Sequence, residues 1–197
     1  KHIKKIEGYD VSHISGDKAV ASCVVFSKTG PDKKSYRLFN IPKKISGNDI
    51  GSLKHVIERR LKYYDDPKTK PDLILIDGGK AQLKFVCKVI DESKHKDLKV
   101  ISIAKGANRL RATETILGKT GVLELDKYSK AFLLLQEIRD ESHRFALQAQ
   151  RKKKRKNITK SELDNIKGVG GILKKRLIKK YKSVENIRSL SVKDLMT

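Results

Sequence analysis

The chain has 197 residues, 38% hydrophobic and 35% charged, enough for one ordinary domain with a core plus a small second one. Lys and Arg number 46 against 23 Asp and Glu, and a formal charge of +23 points to a polyanionic partner, with histone-like or ribosomal packing as the plainer alternative. A membrane or disulfide-stapled protein is excluded: the longest apolar run, 131–135, cannot span a bilayer, no signal peptide opens the chain, and Cys23 and Cys87 lack CxxC spacing.

On these features a cytoplasmic protein is expected. Because the first residue is Lys, the chain is expected to be a fragment lacking amino-terminal partner domains.

In chain order, the sequence predicts a meander of strands at 5–12, 19–27 and 35–41, with the turn chemistry of Lys28-Thr29-Gly30-Pro31-Asp32 between the last two. Apolar residues at Ile50, Leu53, Val56, Ile57 and Leu61 keep helical spacing, so a helix runs to about residue 64, capped by Asn48 or Asp49 and stopped at Asp65-Asp66-Pro67. Leu73-Ile74-Leu75-Ile76 is too short for a helix and ends in Asp77-Gly78-Gly79, the ending of a buried strand in an open α/β sheet. A helix over 80–93 and a strand over 100–104 follow, then an insertion over 105–125 with a hairpin at 113–116 and 121–125. From Ser129 a long helix buries Ala131, Leu135, Ile138, Ser142, Phe145 and Ala149, which leaves Arg139, His143, Ala146 and Gln150 on its flank. Three antiparallel strands followed by helix, strand, helix, strand is the order of a ribonuclease H-like sheet.

The basic run Arg151-Lys152-Lys153-Lys154-Arg155-Lys156 marks the expected boundary between an α/β domain, 1–156, and an all-α segment, 157–197. Residues 144–182 hold fifteen Lys or Arg and two acids, +13 of the +23. Within them, residues 161–177 read as helix, Gly-rich hairpin, helix. Gly168-Val169-Gly170 turns backbone N–H groups outward ahead of the cationic Lys174 and Lys175, an arrangement suited to phosphate. The basic run could equally be a solvated linker.

Asp77 at one strand end and Asp10, expected at the end of a neighbouring strand, repel each other unless a cation lies between them. The plain readings are an exposed strand end for Asp10 and an Asp-Gly turn for Asp77. His143 alone reads more simply as an interfacial histidine, and Asp49 as a helix cap. Lys80 and Lys105 follow strand ends, where they could hold a phosphate or merely be solvated. His13, an odd number of residues from Asp10, is expected on the other sheet face.

Tyr9-Asp10-Val11-Ser12-His13, Ile76-Asp77-Gly78-Gly79-Lys80-Ala81-Gln82-Leu83, Ile103-Ala104-Lys105-Gly106 and Arg139-Asp140-Glu141-Ser142-His143-Arg144-Phe145-Ala146, followed by the Gly-Val-Gly hairpin, are in an order that resembles the carboxyl-terminal half of the UvrC family, over nearly the whole chain. That resemblance implies a ribonuclease H-like endonuclease that makes the incision 5′ to a DNA lesion in bacterial nucleotide excision repair. It implies Asp10, Asp77 and His143 as the catalytic set, with Asp49 as a supporting acid; carboxylate oxygens plus one imidazole, with no thiolate near, suit Mg²⁺ or Mn²⁺ there. It implies a helix-hairpin-helix module, here Gly168, Val169 and Gly170 with Lys174 and Lys175, that grips DNA phosphates; Lys80, Lys105 and Arg144 are expected as further DNA contacts from their positions in the sequence. Damaged double-stranded DNA and the UvrB helicase subunit, with UvrA upstream, are the implied partners. Asn48 and Ile50 depart from the family's Gly-Asp-Asp-Tyr segment, Gly171 stands where Pro is usual, and the chain stops at Thr197, before a second hairpin. Two other readings are an Argonaute-like RNA slicer and a non-catalytic DNA-binding scaffold; convergence of Asp10, Asp77 and His143 would separate the scaffold from an enzyme.

Overall fold

The computed structural model describes residues 3–14, 18–105, 114–159, 162–192 and 194. The chain forms two compact units, Lys1–Gln148 and Ala149–Thr197.

The first unit is built on an eight-stranded mixed sheet. Strands β1 (Lys5–Ile14) and β2 (Lys18–Ser27) pair antiparallel along their whole length, and the short β3 (Gly30–Pro31) and β4 (Arg37–Asn40) both add to β2. The third expected strand therefore starts late. Ser35 Oγ donates to Asp32 Oδ2 at 2.6 Å and Lys33–Ser35 curls into a 3-10 turn, a local side-chain bond that competes with the ladder.

Helix α1 (Asp49–Leu61) is capped by Asn48, whose side chain accepts from Gly51 N at 3.0 Å. Strand β5 (Leu73–Asp77) then enters the middle of the sheet, parallel to β1 on one side and to β6 (Lys99–Lys105) on the other. Leu73, Ile74, Leu75 and Ile76 are all buried, as a strand covered on both faces requires. Helix α2 (Lys80–Asp91) connects β5 to β6 and packs beside α1. The expected hairpin is β7 (Glu114–Gly118) and β8 (Gly121–Leu123), antiparallel on the β6 edge; Thr113 is outside the described residues.

Helix α3 (Lys130–Thr159) buries Phe132, Leu135, Ile138, Ser142 and Ala146. Its inward stripe is rotated slightly from the expected one: Ala131 is exposed and Ala146, expected on the flank, is fully buried. The helix continues through the basic run, since Lys and Arg are good helix formers. No helix among the described residues is long and apolar enough to cross a membrane.

Alternation along β1 puts the helices on opposite faces. Glu7 points to α1, where Arg60 Nη2 donates to its Oε1 at 2.5 Å, while Gly8 faces Ile138 of α3. Glu7 has no exposed surface and also accepts from the hydroxyls of Tyr9 and Tyr64, both at 2.5 Å. Burial pushes both phenols well above the ordinary tyrosine value, and the Glu7 carboxylate adds to the effect.

In the second unit, the expected helix before the glycine hairpin is a four-residue 3-10 turn, Glu162–Asn165, and Ser161 is outside the described residues. Gly168 takes φ +93°, a value that glycine adopts without strain, and α4 (Gly171–Tyr181) and α5 (Val184–Arg188) follow.

Candidate active site

The parallel register between β1 and β5 pairs Tyr9 with Ile76, so one step further Asp10 and Asp77 share a face of the sheet. It is the face of Gly8, and therefore of α3. Strand β5 ends at Asp77: Gly78 N bonds Ile103 O at 3.1 Å, and Gly79 turns the chain into α2 with its N–H on Gln82 Oε1 at 3.0 Å. Asp10 is not at a strand end as expected. The β1–β2 ladder continues past it to Ile14 and Lys18, so Asp10 is in mid-strand and 7% exposed. What opens beside it is the edge left where β5 stops.

Two contacts bring α3 over this edge. A Cβ on Gly8 would collide with Ile138 Cγ2, so the glycine lets the helix approach the strand. Ser22, the β2 partner of Asp10, donates its hydroxyl to Ser142 O at 2.9 Å. The next residue, His143, then has its Nδ1 3.3 Å from Asp10 Oδ2, the oxygen that also accepts from Ser12 Oγ at 2.7 Å. One ligand atom from each of Asp10, Asp77 and His143 falls within 4.8 Å of the other two, close enough to share a cation. The burial is graded, with Asp10 buried, Asp77 half-buried and His143 exposed, so the site is open to solvent on the helix side.

Asp49 is outside this cluster. It is exposed at the first turn of α1 and lines a small cavity of about 30 Å³ with Asp77, Tyr9 and Gln82, so a second carboxylate approaches Asp77 from the α1 side. Lys80 is exposed at the start of α2, and the side chain of Lys105 is outside the described residues. Arg144 is engaged by Glu141 through Nε and Nη2, at 2.6 and 2.7 Å, and its guanidinium holds the Glu141 carboxyl below the ordinary range. In the second unit Gly168, Gly170 and Lys175 are exposed and Val169 half-buried, whereas Lys174 is buried at 5% exposure.

Sequence reasoning missed Ser12 and Ser22. Each was legible as a hydroxyl in a strand, but its use depends on register. It also missed the ion pair of Arg139 with Glu114, which additionally accepts from Gln136 Nε2 at 2.8 Å and ties α3 to β7 one helical turn before His143.

A helix-flanked mixed sheet with two acids on adjacent parallel strands and an imidazole brought to them by the last helix is a ribonuclease H-like domain. The model of the UvrC RNase H endonuclease domain matches residues 1–147, and the chain belongs to that family. It is 39% identical over 193 residues to the UvrABC system protein C of Bacteroides thetaiotaomicron, covering 97% of this chain and 32% of that protein. To the protein of the same name from Legionella pneumophila strain Paris it is 35% identical over 197 residues, again covering 32% of the relative. The chain thus spans about a third of the length of these relatives. Among solved structures, endonuclease V from Streptomyces avermitilis aligns with a TM-score of 0.46 at 15% identity, over 77% of this chain and 83% of that one.

Proposed function

We propose that the chain is the metal-dependent nuclease portion of a UvrABC excinuclease, cutting the phosphodiester 5′ to a lesion in double-stranded DNA alongside UvrB, after UvrA has acted. The observation that carries this reading is the convergence of Asp10, Asp77 and His143 within 4.8 Å in a member of the UvrC family. Two carboxylates and one imidazole with no thiolate suit Mg²⁺ or Mn²⁺, held by Asp10 and Asp77. When bound, such an ion supplies Lewis acidity toward the phosphoryl group and offsets the charge that grows in the transition state.

The remaining chemistry falls to the chain's own groups. Ser12 fixes the orientation of Asp10 by donating to Oδ2. With Nδ1 of His143 on the same oxygen, Nε2 is the nitrogen left to exchange a proton with the attacking water or the leaving oxygen. Lys80, exposed three residues after Asp77, contacts a backbone phosphate in this reading, and the cationic second unit supplies affinity that does not depend on sequence. The test is incision of a duplex with one defined lesion, in the presence of the partner subunits, with and without Mg²⁺. Cutting 5′ to the lesion that disappears with chelator supports the proposal, and chelator-resistant cutting refutes it.

A further inference from the structure

Away from the nuclease cluster, α2 and the β7–β8 hairpin enclose an open groove of about 830 Å³. Its floor is apolar: Leu83 and Cys87 of α2 are buried there, Leu117 of β7 is half-buried, and Val122 of β8 stands at its lip with 62% exposure. Cations rim the floor. Lys80, Lys84 and Lys88 line one side at successive turns of α2, and Lys119 stands on the other.

The charges are arranged unevenly. Lys88 is within 3.8 Å of Glu92, and Lys119 donates to Asp91 across the groove at 2.6 and 2.7 Å, while Lys84 forms no ion pair among the described residues. The Lys119–Asp91 pair is exposed on both sides, at 64% and 45%, and such pairs are weak and readily exchanged. Both residues, with Cys87, Gly118 and Thr120, also line a further cavity of about 340 Å³.

We infer that this groove is a docking site for an acidic amphipathic helix of a partner protein, which buries its apolar stripe on Leu83, Cys87, Leu117 and Val122 and sets its carboxylates against Lys84 and Lys119. Length supports a helix: the 12 residues of α2 rise about 18 Å, three turns of a partner laid alongside. Charge complementarity supports an acid-rich one, since a carboxylate from the partner replaces Asp91 on Lys119 and adds a new pair at Lys84. A single-stranded nucleic acid fits less well in the groove beyond Lys80, because no aromatic ring lines it among the described residues to stack a base. The inference does not depend on the nuclease reading.

The experiment selects a display library of helical peptides about 12 residues long on the whole chain. Enriched peptides are expected to carry apolar residues at i, i+3/i+4 and i+7 with an excess of Glu and Asp. Lys84→Glu should weaken their binding by about tenfold or more, through a like charge at the contact. Val122→Asp, at a position exposed enough for folding to be unaffected, should abolish it. Asp91→Asn should tighten it by about twofold to fivefold, by releasing Lys119. Melting temperatures confirm that each variant is folded. The inference is overturned if no enriched peptide depends on Lys84 and Val122, if the enriched set lacks acids, or if a single-stranded oligonucleotide binds and loses affinity in the same variants.

Discussion

The hydroxyl of Ser22 donates to the carbonyl oxygen of Ser142 at 2.9 Å, joining the strand partner of Asp10 to the residue that precedes His143. A histidine on a long helix is only as well placed as the helix, and this bond, with the Gly8–Ile138 contact, fixes both the height and the rotation of α3 over β1.

Gly8→Ala tests that arrangement. The added methyl meets Ile138 Cγ2 and has Val24 Cγ2 at 3.1 Å, so α3 must shift. Denaturant unfolding should show a loss of about 1–3 kcal/mol, the usual cost of overpacking, and incision should fall further than stability because His143 moves with the helix. Adding Ile138→Ala should restore part of the incision. An unchanged rate in Gly8→Ala would mean that the position of α3 does not set the site.

The buried Glu7–Arg60 pair makes a second, opposite kind of prediction. Arg60→Ala leaves a fully buried carboxylate with only two phenols, and removing one partner of such a pair costs about 3–5 kcal/mol. Glu7→Leu with Arg60→Met should cost much less than either single change. Stability should also depend on alkaline pH. The folded-state values of Tyr9 and Tyr64 are raised, so their contribution is complete below the ordinary tyrosine value of about 10 and is lost as pH rises above it. Melting temperature measured from pH 8 to 12 checks this, and Tyr9→Phe should flatten the fall.

Much of this was legible in the sequence, for identifiable reasons. Leu73 to Ile76 followed by Asp77 and two glycines can hardly be anything but a buried strand delivering an acid, and the helical stripe of α3 placed His143 at the border of the core. Asp10 was picked out as an acid on a strand expected to pair beside Asp77, but its mid-strand position was not, because how far β1 and β2 extend beyond it is settled by pairing with another strand. Glu7, Ser12, Ser22 and Glu114 were silent for the same reason. A lone charged or hydroxyl residue in a strand takes its role from the partner that register and packing supply.

The basic second unit should contribute affinity and no chemistry. Ending the chain after Lys156 removes the turn at Gly168 and α4, and should lower the magnitude of the salt slope of DNA binding by about 0.9 for each phosphate that the segment neutralises. Incision by the shortened chain should recover when protein is in excess. An unchanged slope would show that the segment does not touch phosphate, and a defect that excess protein does not repair would show that it helps assemble the site.

His143→Ala should slow incision by about 10²-fold or more, the scale of a missing proton-transfer group. Single-turnover rates across a range of Mg²⁺ concentrations distinguish its roles: partial rescue at high Mg²⁺ marks a ligand, and a deficit independent of Mg²⁺ marks a proton-transfer group. A wild-type rate would remove His143 from the mechanism.

The most direct test of the shared-cation site is the rate at which Asp77→Asn cuts a singly damaged duplex at saturating Mg²⁺ with the partner subunits present. Asp10 and Asp77 contribute ligand atoms within 4.8 Å of each other, and two carboxylates that close repel when no cation is bound. The variant should therefore melt no lower than wild type in the absence of metal, bind DNA as before, and make no detectable 5′ incision. Incision by Asp77→Asn at the wild-type rate would contradict the assignment of Asp77 to a catalytic metal site.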